Sequence, residues 1–397
     1  MYKNKKTTRR RFDAPRKVTK KMAHSTMDIN LLINKVNDEA VIKTAEHEIK
    51  HKFSDFQIDA RLLNNISQKG FENPTPIQDQ SIPPALEGRD VIGIANTGTG
   101  KTAAFLIPII NKMLANPNEK ALILAPTREL AFQIDEEFRE FAKGLGLNSA
   151  LCIGGTNLHL QRKMFNRPVN FVIGTPGRVI DLLNQKVFSL TQVKNIVLDE
   201  ADRMVDMGFI KDIKLVLSHL PKVRQSFFFT ATLEPKVEEL IRQFMTNPVK
   251  ISVQVRRTSS NIEQDIVRVP ENKAAKQNVL VQMLMQQEFE KVLVFCRTKH
   301  GSNKVLTALH KSGIKSNVIH GNKSQSYRIK ALDYFKQGKI QVLVATDVAA
   351  RGLDISDVSH VINFDVPSNY EDYVHRIGRT GRADKRGKAL TFVSAPV

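Results

Sequence analysis

The sequence is poor in cysteine and contains no tryptophan. Its 397 residues include only Cys152 and Cys296, and both stand in apolar runs that are typical of strands. Two cysteines are too few for a disulfide framework or for a cysteine-based structural zinc site. The pattern therefore predicts small buried thiols in a protein of a reducing compartment.

Long apolar runs are also missing. The longest spans residues 103–110 and contains Pro108, whereas a membrane-spanning helix needs roughly 20 residues. The basic start of the chain is not followed by an apolar segment as long as that of a secretory signal. We therefore expect a soluble, intracellular protein without membrane partners. A cytoplasmic location is the first expectation, and a nuclear one is the alternative in a eukaryote.

Acidic residues are too few to balance the basic ones. Sixty Lys and Arg face 40 Asp and Glu, which gives a formal charge of +20. Residues 1–21 hold ten bases and one acid, a net of +9 that leaves +11 for the rest of the chain. Such a balance favours polyanionic partners through phosphate contacts and counterion release. The composition of residues 1–21 is that of a disordered basic arm.

After the arm, the sequence predicts one helix and then two α/β domains. Ile29, Leu32, Ile33 and Val36 stand at helical spacing within residues 28–50. From Phe53, short apolar strands alternate with helix-length segments, a pattern typical of parallel sheets covered on both faces. The predicted parts are an N-terminal extension (1–52), a first domain (53–252), a linker (253–262) and a second domain (263–397).

Ten strands are predicted from short apolar runs. Those of the first domain are 91–95, 121–125, 171–173, 195–198 and 226–229. Those of the second domain are 291–295, 317–319, 341–344, 361–364 and 389–393.

The stretch ANTGTGKT, residues 95–102, follows the first predicted strand and precedes a helical segment, where a phosphate-binding loop belongs. Glycines let backbone N–H groups approach phosphate oxygens, Lys101 neutralises the outer phosphates, and the Thr102 hydroxyl can reach Mg²⁺. Ala95 replaces the first glycine of the usual pattern, and it is small enough for that place. The nucleotide-binding residues predicted here are Thr97, Gly98, Thr99, Gly100, Lys101 and Thr102.

Asp199 ends a buried apolar strand, and Glu200 follows at once. Burying two carboxylates without partners costs on the order of several kcal/mol. We therefore expect Asp199, together with Thr102, to hold a nucleotide-bound Mg²⁺, and Glu200 to orient or deprotonate the attacking water. The alternative is a helix N-terminus rich in acids. It explains Asp202 and Asp206 adequately but explains Asp199 less well.

Residues 375–382, HRIGRTGR, place three arginines and a histidine around two glycines. Guanidinium groups suit phosphate oxygens, and Gly378 and Gly381 indicate a specific turn. A solvated basic face is the plainer interpretation of such a run. If these arginines face Lys101 across a cleft, ATP binding would draw the two domains together and hydrolysis would release them.

These residues carry a resemblance to a known family. Asp199-Glu200-Ala201-Asp202 is the sequence that names the DEAD-box RNA helicases, and the chain resembles that family from Phe53 to Arg382, about five-sixths of its length. The resemblance implies two tandem RecA-like domains, each a parallel sheet flanked by helices, after a basic N-terminal extension. It also implies ATP and Mg²⁺ as cofactors and RNA as partner, bound largely through its sugar-phosphate backbone without regard to sequence.

The same resemblance implies roles for single residues. Phe53, Phe71 and Gln78 would bind the adenine, where the Gln78 amide can pair with both N6 and N7 and so select ATP over GTP. Phe53 as an ordinary core residue is the alternative. Asp354 would bind the ribose, and Arg379 and Arg382 would be the arginine fingers. The residues at RNA-binding positions of the family are Arg128, Gly155, Thr175, Arg178, Thr298, Gln325, Arg328 and Thr346.

Other residues are implied to couple the domains. They are Asp202, Thr230, Thr232 and His375. Among the RNA-binding positions, Thr298 and Gln325 are equally well explained as plain surface residues. Thr230-Ala231-Thr232 stands where the family usually has Ser-Ala-Thr, which keeps the hydroxyl but adds a methyl group that stiffens χ1. Because that segment is thought to couple hydrolysis to strand separation, the departure concerns unwinding rather than ATP binding.

The function expected from these features is that of an RNA-dependent ATPase, a monomeric motor that opens short duplexes or remodels ribonucleoprotein. An ATP-gated RNA clamp with little turnover is the alternative. It predicts lost catalytic residues, whereas Lys101, Asp199, Glu200, Arg379 and Arg382 are all present. A DNA helicase with the same two-domain motor is disfavoured by the DEAD signature.

Two features of the chain ends leave alternatives open. The basic arm is expected to tether RNA without sequence preference, and a nuclear address is its alternative use. The sequence stops at Val397, directly after the last predicted strand, where relatives usually carry a closing helix. A minimal second domain and a truncated chain are both compatible with this.

Overall fold

A computed structural model describes residues 49–95, 98–253, 262–350, 355, 358–381 and 386–395. The predicted basic arm, all but two residues of segment 28–50 and most of the predicted linker lie outside these ranges. Within them, no helix is both long and apolar enough to cross a membrane.

The first sheet has seven parallel strands in the order β3-β4-β2-β5-β6-β1-β7. The strands read as almost unbroken apolar runs because helices bury both faces of the sheet. Their bounds are β1 (Val91–Ala95), β2 (Lys120–Leu124), β3 (Ser149–Cys152), β4 (Phe171–Gly174), β5 (Val193–Asp199), β6 (Gln225–Thr230) and β7 (Val249–Val253).

Helices cover the first sheet on both sides. One face packs on α1 to α4 and the other on α6 to α9, which gives two separate hydrophobic clusters. The bounds are α1 (Ala60–Gln68), α2 (Pro76–Leu86), α3 (Lys101–Ala115), α4 (Arg128–Phe141), α5 (Leu158–Met164), α6 (Pro176–Asn184), α7 (Ala201–Asp206), α8 (Ile210–Ser218) and α9 (Pro235–Phe244), after a 3₁₀ turn (Phe53–Asp55).

The second sheet has six parallel strands in the order β10-β11-β9-β12-β13-β8. They are β8 (Ile262–Val269), β9 (Val292–Phe295), β10 (Ser316–Ile319), β11 (Val342–Ala345), β12 (His360–Asn363) and β13 (Gly387–Ser394). The helices are α10 (Lys273–Leu284), α11 (Lys299–Lys311), α12 (Gln325–Lys336), α13 (Asp347–Ala350) and α14 (Tyr370–Ile377). Helices α10 and α11 pack on one face, and α12 and α13 pack on the other.

Two parallel sheets flanked by helices confirm the predicted α/β class, and all ten predicted strands occur within two residues of their predicted bounds. Three edge strands, β3, β7 and β8, were not among the ten, although the apolar run around Cys152 in β3 was noted as typical of a strand. Strands β7 and β8 carry exposed residues between buried or partly buried ones, because an edge strand is covered less completely, and so they escape a search for continuous apolar runs. Strand β7 ends at Val253 and β8 begins at Ile262, while the domain limits themselves stay predictions.

Close strand packing makes Gly174 a testable position. A Cβ there would collide with the backbone carbonyl oxygen of Cys152 in the neighbouring strand β3, which cannot swing aside. We expect Gly174→Ala to lower the free energy of unfolding by about 1–3 kcal/mol, measured by urea denaturation. Gly177→Ala in α6 is the control, because a Cβ at Gly177 meets no atom within 4 Å. Equal destabilisation by both changes would contradict the steric explanation.

Candidate functional site

The carboxyl ends of the parallel strands meet at one edge of each sheet, which is where α/β proteins collect ligands. At this edge of the first sheet lie the loop after β1, the start of α4 after β2, Gly155 after β3, Thr175 after β4 and Asp199 at the end of β5. The sequence predicted all of these as site residues, and the parallel sheet brings them to the same edge.

The predicted phosphate loop lies between β1 and α3, with Lys101 as the first residue of the helix. Gly98 and Gly100 have φ of 86° and 94°, a left-handed region that favours glycine. A Cβ at Gly100 would also collide with the side chains of Gln78 and Thr75. Both the positive φ and the lack of space for a Cβ therefore require glycine at Gly100. Thr97 lies outside the described residues.

Gln78 is only 2% exposed, and its amide is already engaged by protein groups. Its Nε2 donates to the Gly100 carbonyl at 3.0 Å, and its Oε1 accepts from the Thr75 N–H at 2.8 Å. The amide thus fastens the phosphate loop to the start of α2. Two of its four hydrogen-bonding positions are used in this way, and adenine recognition stays a prediction.

Phe53 is 4% exposed and packs with its ring centroid 6.1 Å from Phe56 and 6.3 Å from Phe71. These surroundings agree with the alternative of an ordinary core residue, and adenine stacking on Phe53 stays a prediction. Phe71 is only partly buried, and its ring also meets Phe141 edge-on at 5.8 Å.

Lys101 and Asp199 form the centre of the candidate nucleotide site. The Lys101 side chain is buried, 6% exposed, and its Nζ has no hydrogen-bond partner among the described residues. Burial raises the pKa of Asp199 to about 6, against the opposing effect of Lys101 and with a further rise from Glu200. A buried ammonium without an acceptor among the described residues, beside a buried carboxyl whose pKa is raised, fits an anionic ligand that brings a divalent cation.

The donor set also bears on the metal. The described residues contain no group of three or more His, Cys, Asp or Glu that could hold an ion alone. Mg²⁺ in nucleotide sites is bound by one or two protein oxygens together with phosphates and waters. Asp199 and Thr102 at the phosphate loop therefore fit Mg²⁺ only in company with a nucleotide.

Glu200 has an unusual backbone for its residue type, with φ of 52° at the position that precedes α7. Its Oε2 accepts a short hydrogen bond from Arg203 Nη1, and both side chains are buried. Burial alone would raise the pKa of Glu200, but Arg203 and then Lys101 lower it below its ordinary value. The carboxylate is therefore kept ionised. Arg203 was missed by the sequence analysis, although its i,i+3 spacing from Glu200 was a usable signal.

Asp202 connects the end of β5 to the segment after β6. Its Oδ2 accepts from the backbone N–H groups of Ala231 and Thr232, each at 3.0 Å, and from the Thr232 hydroxyl at 3.2 Å. The Thr230 hydroxyl donates to the Thr232 carbonyl at 2.7 Å. Asp202 is thus more than an acid at a helix N-terminus, which was the plainer explanation offered by the sequence.

The second sheet contributes two residues to the same place. Arg379 is close enough to Glu200 to help lower the pKa of that carboxyl. His375 keeps part of its surface exposed. Loss of solvation among the surrounding protein atoms lowers its pKa below the ordinary value, and the charges of Arg203 and Arg379 lower it further. The two domains are therefore arranged with His375 and Arg379 near the end of β5. Asp354 and Arg382 lie outside the described residues.

Arg376 has a different role from its neighbours in the run. Its Nε and Nη2 donate to the two carboxylate oxygens of Asp347 at 2.6 and 2.8 Å, and its Nη1 donates to Asn363 and the Asp365 carbonyl. The guanidinium also lies over the Phe295 ring. Arg376 is a buried brace inside the second domain, and the sequence gave no sign that distinguished it from Arg379.

The first domain brings its predicted RNA residues into one group. The Arg128 guanidinium lies against Gly154 and Gly155, where a Cβ at Gly155 would collide with it. Thr175 precedes α6, and Arg178 in that helix has a buried Nη1 without a partner among the described residues. This set offers a hydroxyl, a tight glycine turn and two guanidiniums at one edge.

Two predicted RNA residues of the second domain have protein partners, and their RNA contacts stay predictions. The Arg328 guanidinium pairs with Glu129 of α4 at 2.8 Å, and both side chains are largely buried. The Thr298 hydroxyl accepts from the Gly301 N–H at 3.0 Å and caps α11. Gln325, by contrast, is buried with both amide atoms unpartnered among the described residues, so it is not a plain surface residue. Thr346 is buried just before α13.

Family comparisons agree with this architecture. A family model described as DEAD/DEAH box helicase matches residues 75–240, and one described as helicase conserved C-terminal domain matches residues 275–384. A DEAD-box ATP-dependent RNA helicase CshA of Bacillus licheniformis is 46% identical over 86% of the chain and 70% of the relative. The chain spans 64 to 70% of the length of the curated relatives considered.

Solved structures agree as well. Dbp5 of S. cerevisiae bound to RNA and ADP BeF3 is 32% identical and covers 87% of the chain and 90% of its own, with a TM-score of 0.76. A Dbp5 variant bound to Nup159, Gle1, IP6 and ADP is 30% identical and covers 85% and 89%, with a TM-score of 0.60. The chain therefore belongs to the DEAD-box ATP-dependent RNA helicases, a family of enzymes built on two tandem RecA-like domains.

Proposed function

We propose that the chain is an RNA-dependent ATPase that acts as a monomer to open short RNA duplexes or to remodel ribonucleoprotein. The observation that carries this proposal is that Arg328 of the second domain pairs with Glu129 of the first at 2.8 Å, while Arg379 and His375 lie close enough to Glu200 to interact with it electrostatically. A site completed by both domains can form only when they close, so ATP turnover and domain closure become the same event.

The nucleotide would be held by the loop after β1. Backbone N–H groups at Gly98 to Gly100 would take phosphate oxygens, and Lys101 Nζ, which lacks a partner among the described residues, would pair with the outer phosphates. Thr102 and Asp199 would hold Mg²⁺. When bound, Mg²⁺·ATP supplies the phosphoryl bond to be cleaved and the metal charge that polarises it.

Glu200 would position the attacking water and take its proton. The Arg203 guanidinium binds one of its carboxylate oxygens, which fixes the rotation of the side chain. A carboxylate held ionised can accept a proton, whereas a protonated one cannot. Arg379, and Arg382 by resemblance, would stabilise the charge that develops on the outer phosphate.

RNA would lie along the edge that carries Arg128, Gly155, Thr175 and Arg178, and continue to Gln325 and Thr346. The unpartnered amide of Gln325 and Nη1 of Arg178 are buried polar groups whose cost RNA oxygens would offset. These groups suit phosphate and sugar rather than base edges, which supports recognition without sequence preference. The higher TM-score with the RNA-bound than with the ADP-bound Dbp5 structure supports a closed arrangement.

Steady-state ATP hydrolysis by the whole chain tests the proposal. It is measured without nucleic acid, with single-stranded RNA and with DNA of matching sequence. We expect stimulation by RNA alone. Equal stimulation by DNA would favour a DNA motor, and tight ATP-dependent RNA binding without hydrolysis would favour the clamp.

Glu200→Gln separates binding from turnover in the same assay. The amide keeps the size of the side chain and can still accept from Arg203, but it is not a base. We expect hydrolysis to fall by about 100-fold or more while ATP-dependent RNA binding persists. Full residual hydrolysis would contradict the water-positioning role.

Arg203→Gln tests whether the ion pair serves the chemistry. We expect kcat for ATP hydrolysis to fall by about tenfold or more, with KM for ATP changed by less than about twofold, because only the orientation of Glu200 is lost. Arg203→Lys should restore part of kcat. Loss of a buried partner also destabilises, so the unfolding midpoint is measured for each variant.

Arg242→Gln is the control for this change, because Arg242 forms its ion pair with Glu238 on the exposed surface of α9. It should leave kcat unchanged. A normal kcat in Arg203→Gln, or an equal loss in Arg242→Gln, would remove Arg203 from the mechanism.

Glu129→Gln tests the buried ion pair between the domains. The change leaves the Arg328 charge without its partner, so we expect closure with RNA and an ATP analogue to weaken by about tenfold or more. Closure is measured by energy transfer between dyes on the two domains. Glu140→Gln is the control, since Glu140 lies on the same helix but pairs with Lys69 of its own domain. Unchanged closure in Glu129→Gln would show that the pair contributes nothing to it.

A further inference from the structure

The edge of the first sheet opposite the candidate site carries a cluster of basic residues. Asn195 of β5 pairs with Gln225 of β6, which places Lys194 beside Arg224 one residue earlier. Val91 of β1 pairs with Phe227, so Arg89 lies level with the start of β6. We define the surface lined by Arg89, Lys222 and Arg224 as the basic cleft.

These basic residues border a concave part of the protein surface. A cleft of about 430 Å³ lies at the start of β6 and the end of α9. Besides Arg89, Lys222 and Arg224, it is lined by neutral polar side chains that can contact sugar and phosphate. These are Ser226, Gln243, Thr246 and Asn247.

Asp90 is the acidic side chain at the cleft, and it is occupied by the protein itself. One of its oxygens accepts from the Ser226 N–H at 2.7 Å and the other from the Thr246 N–H at 3.0 Å. Its charge therefore serves to join β6 and the loop before β7 to β1. Three cations against one bonded carboxylate leave the lining of the cleft positive.

The cations of the basic cleft differ in whether protein groups already bind them. Arg224 donates from Nη1 to the Pro221 carbonyl and from Nη2 to the Phe244 carbonyl, each at 2.8 Å, so its charge is fixed in place. Arg89 and Lys222 are exposed to solvent. Two exposed cations beside a fixed one are suited to a flexible polyanion.

We propose that the basic cleft binds the sugar-phosphate backbone of RNA, as a second RNA contact of the first domain. The proposal rests on RNA as the partner in the proposed function. It accounts for part of the +11 charge that the chain carries outside residues 1–21. Because the whole sheet, about 20 Å along its strands, separates the cleft from the candidate site, only a long RNA can reach both.

Two RNA lengths and a double variant test this in the full chain. Arg89→Gln with Lys222→Gln removes the available charges and spares Arg224 and Asp90, which hold the fold. For an RNA of about 40 nucleotides, we expect the negative slope of log K against log salt to become smaller in magnitude by about 1.4, the value for two single-strand phosphates. With an RNA of about eight nucleotides, affinity, slope and stimulated ATP hydrolysis should stay unchanged.

The matched control is Lys311→Gln with Lys315→Gln. Both lysines are exposed, and the pair lies just before β10 of the second domain. The control loses the same charge and should lower the slope by less than half as much. An unchanged slope in the cleft variant, or an equal fall in the control, would reject the proposal.

Calorimetric titration with tripolyphosphate identifies the source of the phosphate. If tripolyphosphate binding is lost in the cleft variant while the slope with long RNA is unchanged, the cleft binds a free anion and the RNA proposal is rejected. If the ATPase of the unaltered chain fails to respond to short RNA, the proposed function fails. The salt slope with long RNA is a separate readout, so the two failures can be told apart.

Discussion

Three acidic side chains within four residues at the end of β5 determine which partners the rest of the site must supply. Each is compensated differently: Asp199 by Lys101, Glu200 by Arg203, and Asp202 by N–H and hydroxyl donors after β6. Glu200 and Asp202 accept hydrogen bonds from donors of the first domain, whereas Lys101 acts on Asp199 through its charge. Asp199 keeps a raised pKa because its compensation is incomplete, which is the condition under which a metal ion stabilises the folded protein.

The same incompleteness recurs in polar groups that lack a partner among the described residues. Lys101 Nζ, Arg178 Nη1 and both amide atoms of Gln325 are buried in this state. Each such group costs about 1–3 kcal/mol unless a ligand provides the missing bond. They stand at the nucleotide loop and along the proposed RNA edge, so ligand binding would relieve the cost where it arises. The rigid braces, Arg376 on Asp347 and Gln78 on Gly100, are by contrast satisfied.

Much of this could be predicted from the sequence, for reasons that differ by level. Apolar runs predicted every central strand, because a parallel sheet buried on both faces permits nothing else. The parallel arrangement then brings strand ends such as Gly155 and Asp199 together without any further information. Arg203 and the Glu129–Arg328 pair were not predicted, because the sequence does not distinguish an arginine that faces solvent from one that contacts RNA or a carboxylate. Phe53 likewise reads the same in a core as beside an adenine.

The Glu129–Arg328 pair suggests how RNA binding and closure could share one residue. Arg328 bonds Glu129 through Nη2, while its Nε is buried without a partner among the described residues. Burial lowers its pKa and Glu129 opposes that effect, so removal of either partner would leave an uncompensated buried charge. A phosphate reaching Nε would add a second anion to a guanidinium fixed by the first. If RNA contacts Arg328, as its position in the family implies, the pair with Glu129 would already have ordered the side chain that RNA binds, and the two contacts would be cooperative.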